Sequence, residues 1–136
     1  MPASVFTPAE ANSALSGVRP VAERLVALRA RMRELENAQG GLRRAIGGNG
    51  DGYAAGDLKE SDSELQGLGE AAAACLDRLG ELGVLVKDMD LGLLDFPSRR
   101  AGADVLLCWH VGEDQVAFWH GLEEGFGGRK PIDWSE

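Results

Sequence analysis

The chain has 136 residues, 26% of them charged, and a formal net charge of −8 at pH 7. That acidic balance argues against a free-standing nucleic-acid binder, no apolar run approaches the roughly 20 residues a membrane helix needs, and Cys75 and Cys108 are too few for a disulfide framework. The opening Met1-Pro2-Ala3-Ser4-Val5-Phe6 lacks the basic stretch and apolar run of a secretory signal, so the expectation is a soluble, cytoplasmic, single domain over residues 1–136.

The first element is predicted as a helix over residues 7–46. Thr7 can cap it, Pro8 suits the first helical position, and Glu10 completes a capping box. Apolar or small residues then recur at spacings of three and four: Ala11, Ala14, Val18, Val21, Leu25, Leu28, Met32, Leu35, Gln39, Leu42 and Ile46. Such a stripe belongs to a helix packed along another helix. Pro20 removes a hydrogen bond and clashes one turn back, which predicts a kink or short break. Arg19, Arg24, Arg29, Arg31, Arg33, Arg43 and Arg44 make this helix basic. Because the next helix is acidic, they are better taken as flanking charges than as a nucleic-acid surface.

The glycine-rich stretch 47–56 predicts a flexible connection. It has neither the preceding strand nor the Gly-Lys-Ser/Thr ending of a phosphate loop. A second helix is expected over residues 57–82, its stripe formed by Leu58, Ser61, Leu65, Leu68, Ala72, Cys75, Leu79 and Leu82. Two such helices joined by one turn imply an antiparallel hairpin, with Asp57, Asp62 and Glu64 opposite Arg43 and Arg44. The run Ala71-Ala72-Ala73-Ala74 predicts a close approach by the sheet or a partner helix. Cys75, on the stripe, is expected to be a buried inert thiol.

Gly83 stops the helix. Val84-Leu85-Val86 and Leu93-Leu94-Asp95-Phe96 predict strands, the second ended by Pro97, with a turn over residues 88–92 and a loop over 97–102. Asp88, Asp90 and Gly92 do not make a calcium loop, because the glycine is one place early and Arg99 stands where the closing glutamate belongs. A hairpin follows, from Val105–Val111 to Val116–His120, with a tight turn near Gly112-Glu113-Asp114. Turn length sets its register, and a one-residue slip exchanges the faces of the return strand. Both faces are largely apolar, so both need cover. The helices can cover one face. The tail or a second copy must cover the other, which points to a homodimer.

The expected fold is therefore α+β: a long antiparallel helical hairpin followed by a small three- to four-stranded antiparallel β-meander over residues 83–120, with an irregular C-terminal tail over 121–136. No catalytic constellation emerges. The candidate ligand-binding residues gather around His120: Trp109, Trp119, Asp95, Glu113 and Arg129. Imidazole, thiolate and carboxylate from His120, Cys108 and Glu124 are the chemistry of a divalent transition-metal site. No close His or Cys pair supports such a site, so the plainer reading has His120 hydrogen-bonded to the tail and Asp95 paired with Arg129 or Lys130. Cys108 lies mid-strand, as core thiols do, which disfavours nucleophilic catalysis.

Val86-Lys87-Asp88, Gly92-Leu93-Leu94-Asp95-Phe96-Pro97, Leu107-Cys108-Trp109 with Gly112-Glu113, Trp119-His120, and Gly125-Phe126 with Arg129 and Pro131 together resemble a bacterial domain-of-unknown-function family numbered 2203, some of whose members are labelled division initiation proteins. Phe6-Thr7 with Glu10-Ala11-Asn12 is similar to that family's helix start. Where the family's first helix often has Leu-Pro, this chain has Ser16-Gly17 and carries its proline at Pro20. The resemblance implies a small bacterial cytosolic protein and brings no established activity with it. The expected function is a non-catalytic, self-associating interaction or scaffold protein. It would form a homodimer, with a further protein partner left open, and bind neither nucleic acid nor membrane. The alternative is a metal- or small-ligand-binding protein, an enzyme included, with its site at His120. No cofactor is required by the sequence; a divalent transition metal is the one its residues would suit.

Overall fold

The computed structural model describes residues 5–49 and 52–135. It is α+β: helices α1 (Pro8–Asn49) and α2 (Gly52–Glu81) precede strands β1 (Leu85–Asp88), β2 (Leu93–Arg100), β3 (Ala103–His110), β4 (Phe118–Gly121) and β5 (Lys130–Pro131). The five strands pair antiparallel in chain order, as a meander. By internal packing the chain divides into residues up to Val26 with those from Cys75 onward, and residues Ala27–Ala74.

Residues Ala27–Ala74 hold the long middle of the two helices. Leu35, Gln39, Ser61 and Ala72 are buried here, on the expected stripes. Arg31 meets Glu64 at 3.0 Å, and Gln39 donates to Asp62. The acidic residues of α2 thus meet Arg31 and Gln39, where Arg43 and Arg44 were expected. Glycine costs a helix about 1 kcal/mol per residue relative to alanine. The helices nevertheless continue to Asn49 and restart at Gly52, so most of the expected 47–56 connection is helical. Gly50 and Asp51 lie outside the described residues. Of the alanine run, Ala72 is buried and Ala73 and Ala74 are exposed, so the expected close approach is confined to one side.

In the other unit, Thr7 and Glu10 form the expected capping box: the Thr7 N–H donates to Glu10 Oε1 at 2.8 Å and the Glu10 N–H to Thr7 Oγ1 at 3.1 Å. The helix runs without a break through Pro20, which is exposed. The residues it buries are Ala11, Leu15, Val18, Ala22 and Leu25. Leu15 and Ala22 thus replace the half-buried Ala14 and Val21 of the expected stripe, which is a turn of one position within a face broader than a coiled-coil seam. At the end of α2, Gly83 takes φ +87°, and the Val84 N–H reaches the Leu79 carbonyl while the Gly83 N–H reaches that of Gly80. That is a Schellman ending, and it aims the chain into β1.

β2 does not stop at Pro97. β1 pairs β2 only as far as Asp95, so beyond it β2 has a free edge on that side. A proline is tolerated where its missing N–H faces no strand. The Pro97 carbonyl, on the same edge, accepts from the Phe6 N–H at 2.7 Å. β2 instead ends at Ala101-Gly102, both with positive φ, which gives a tight two-residue hairpin. The link from β3 to β4 is the long one, residues 111–117, in place of the expected tight turn. Val116, placed by the sequence on a strand, lies in this link. It is buried because Asn12 grips its backbone from both sides: Asn12 Oδ1 accepts from the Val116 N–H at 2.7 Å, and Nδ2 donates to its carbonyl at 3.0 Å.

The register resolves which side chains share a face. Cys108 pairs with Asp95 on one side and Phe118 on the other; Leu106 pairs with His120 and Leu107 with Trp119. One face therefore carries Asp95, Leu106, Cys108, Phe118 and His120. The other carries Leu94, Phe96, Leu107, Trp109 and Trp119. Phe6 packs edge-on to Phe96 (5.2 Å), and Arg19 lies over Trp109 (5.3 Å), so the start of α1 serves this second face. The tail serves the first with Glu124, Gly125 and Phe126, and reaches the second with Trp134, which packs on Trp119.

A candidate metal centre

Three adjacent strands each contribute one group to the tail-covered face: Asp95 from β2, Cys108 from β3 and His120 from β4. A ligand atom from each lies within 4.8 Å of the other two. All three residues are buried, with exposures of 1%, 2% and 3% respectively. Of the expected His120, Cys108 and Glu124, the first two lie in this cluster, and its carboxylate is that of Asp95. Asp95 stands in the cluster, because it is the direct register partner of Cys108. Glu124 is turned to Lys130, at 2.7 Å, and accepts the Gly121 N–H at 2.7 Å.

His120 meets the expected tail at its first residue, Gly121, which the structure places at the end of β4. Its Nδ1 lies 2.8 Å from the carbonyl of its own neighbour Gly121, and Nε2 lies 3.0 Å from Asp95 Oδ1. A carbonyl can only accept, so Nδ1 carries a proton. Nε2 and Asp95 Oδ1, 3.0 Å apart, then share one proton, and its loss would free the Nε2 lone pair for a cation, as in metal-ligating histidines, where the other ring nitrogen donates to a backbone oxygen.

Asp95 pairs with neither Arg129 nor Lys130. Its nearest cation is Lys87, 4.0 Å from Oδ2, and that oxygen is buried without a hydrogen bond. Burial raises the Asp95 carboxyl above its ordinary value, against the opposing pull of His120 and Lys87. Burial also pushes the Cys108 thiol up to about 11, which Arg129 only partly offsets. Left to itself the site holds a neutral thiol. A bound cation would displace that proton to solvent, since thiolates are the form that ligates metal.

Beside the cluster is a cavity of about 190 Å³, lined by Lys87, Leu93, Asp95, Cys108, His120, Glu124, Gly125 and Phe126. The tail roofs it. Arg129 forms two hydrogen bonds to Glu113, at 2.8 and 2.9 Å, and its guanidinium lies over Phe118 (4.1 Å) and Phe126 (4.3 Å). Glu113 also accepts the His110 N–H at 2.8 Å. Burial alone would raise the Glu113 carboxyl, but the hydrogen bonds from Arg129 and His110 and the charge of Arg129 outweigh it, and the net effect is a lowering. Glu113 and Arg129, expected to bind ligand, therefore form a clasp beside the cavity.

The two tryptophans are excluded from the cavity by the pleat. Trp109 is buried on the opposite face with its indole N–H donated to the Glu113 carbonyl at 3.1 Å. Trp119, also opposite, packs against Trp134 and under Arg100 and Lys130. The residue that sequence reasoning missed is Lys87. Alternation from Leu85, the register partner of Asp95, was the available signal, and it depended on knowing that register.

Residues 4–132 match the family model described as uncharacterized conserved protein (DUF2203). The chain belongs to that family. No curated protein and no solved structure matches it. The description assigns DUF2203 chains no activity, so the chemistry of this one rests on its own side chains. Among its described residues, no helix is long and apolar enough to cross a membrane.

Proposed function

We propose that this protein binds a divalent transition metal, of the zinc class, through Asp95 Oδ, Cys108 Sγ and His120 Nε2. The observation that carries the reading is the convergence of these three buried ligand atoms within 4.8 Å. The unpartnered Asp95 oxygen and the Gly121-pinned Nδ1 of His120 support it. Sulfur with imidazole selects zinc-like ions over magnesium or calcium, which prefer oxygen alone. Three protein ligands are also the number that leaves a fourth tetrahedral position for something else.

Self-association is the reading the sequence alone favours. Its motives are the heptad-patterned hairpin, the lack of a catalytic constellation and a sheet face in need of cover, and for the last of these Glu124, Gly125 and Phe126 of the chain's own tail line that face. Metal binding is accordingly the reading preferred here.

Elemental analysis of protein purified without chelators tests it. The expected result is one transition ion per chain in the parent and none in His120→Ala or Cys108→Ser. A parent protein that carries no metal, and takes up neither zinc nor cobalt when supplied with it, sinks the proposal.

A further inference from the structure

Resting on the metal reading above, we infer that the fourth coordination position is filled by a small monocarboxylate whose apolar body occupies the cavity beside the cluster. Charge is the first argument. A divalent ion is neutralised by the Asp95 carboxylate and the Cys108 thiolate. Glu124 and Lys130 cancel one another at 2.7 Å. Lys87, with its ammonium 4.0 Å from Asp95 and half of its side chain exposed, then leaves the lining with one net positive charge. At a cluster whose three ligands are buried, such an excess favours a ligand carrying one negative charge over a neutral or doubly charged one.

Shape is the second argument. Past the three ligands, the lining turns apolar with Leu93 and Phe126. The volume, about 190 Å³, is small for a ligand pocket; an engineered apolar cavity of roughly 150 Å³ is enough for benzene. A carboxylate head at the metal and Lys87, with a body of at most ring size against Leu93 and Phe126, satisfies both ends. Phe126 belongs to the tail, and the Arg129 guanidinium lies 4.3 Å from its ring, so the Arg129–Glu113 clasp sets that wall.

The full-length chain loaded with cobalt(II) provides the test, because cobalt reports its coordination in the visible spectrum and its thiolate bond in the near ultraviolet. Benzoate is expected to shift the visible bands saturably, and the uncharged isostere benzamide is not. Formate, with the same head and no body, is expected to bind at least about tenfold more weakly than benzoate. Lys87→Met is expected to weaken benzoate about tenfold, and Lys87→Arg to recover most of the loss. Cobalt bands unmoved by benzoate overturn this inference and leave the metal site standing. Equal responses to benzoate and benzamide overturn the charge argument, and azide or formate binding as tightly as benzoate overturns the assignment of a carboxylate with an apolar body. No cobalt bands at all overturn the metal reading itself, and this inference with it.

Discussion

Asp95 and Cys108 stand directly opposite each other on β2 and β3, so an acid and a thiol share one side of a buried strand pair. The neutral thiol suits a core position; the acid does not. The carboxylate has one oxygen without a hydrogen bond, and a buried, incompletely paired charge destabilises a fold relative to a neutral group of the same shape. In chelator-treated protein, Asp95→Asn is therefore expected to match the parent or exceed it by about 1–2 kcal/mol at pH 7 in urea denaturation. The same variant should fail to retain metal. A loss of about 3 kcal/mol or more in the metal-free protein would instead make Asp95 a structural anchor for His120.

What placed these two side chains together was not local in the sequence. The capping box at Thr7–Glu10, the buried stripe of α2 and the Gly83 ending each depend on residues a few positions apart, and each was legible. The β3–β4 register was not, because residues 111–117 are shaped by contacts with α1. Asn12 grips Val116, and Arg19 donates to the carbonyls of Glu113 and Asp114 at 2.9 and 2.7 Å. The β3–β4 register is what brings His120 into the cluster, whereas Asp95 meets Cys108 through the β2–β3 register, which an expected stop at Pro97 conceals, and Lys87 joins them through the β1–β2 register. Alternation within β3 was the legible part: Cys108 and Trp109 are neighbours on one strand and point to opposite faces.

The same contacts make Asn12 a sensitive position. Its amide meets both backbone groups of Val116, as a neighbouring strand would. Asn12→Ala leaves a buried N–H and a buried carbonyl without these partners, with an expected cost of about 2–4 kcal/mol. Asn12→Asp keeps the acceptor and loses the donor, and should fall between parent and alanine below pH 7. If Asn12→Ala unfolds at the parent's urea midpoint, the 111–117 link is held by other means.

The tail is tied down by two acid–base pairs, Arg129 with Glu113 and Asp133 with Arg100, and braced within itself by Lys130 with Glu124. Hydrogen bonds from the cations lower the Glu124 and Asp133 carboxyls below their ordinary values, and Glu113 is lowered despite its partial burial. A carboxylate with a lower value when folded contributes stability that is complete above its unfolded value. That stability is lost as pH falls through the folded one. Tail attachment should therefore be level above about pH 5 and weaken below about pH 4. Amide exchange at Lys130 and Ile132 would report this, and loosening that begins near pH 6 would point to histidine instead. Arg129→Lys retains the charge but neither the two-bond fork nor the ring stacking, and should cost about 1–3 kcal/mol.

Gly92 offers the most direct test of the sheet geometry. It has φ +76°, which a side chain disfavours, and its carbonyl accepts the Val111 N–H at 3.0 Å. A Cβ placed there would come within 2.5 Å of Val111 Cγ2 and 2.9 Å of Val26 Cγ2. Conformational strain of about 1–2 kcal/mol and overpacking of about 1–3 kcal/mol act together. Gly92→Ala is thus expected to lose about 2–5 kcal/mol. Gly102 has a similar φ of +82° but no atom within 4 Å of the corresponding Cβ, so Gly102→Ala should show the strain alone. At the neighbouring Ala101, where φ is +52°, glycine relieves the same strain, and Ala101→Gly should be neutral or stabilising by up to about 1 kcal/mol. Urea midpoints for the three variants check the order. Equal losses for Gly92→Ala and Gly102→Ala would mean that Val26 and Val111 yield freely and that backbone strain alone makes glycine necessary at position 92.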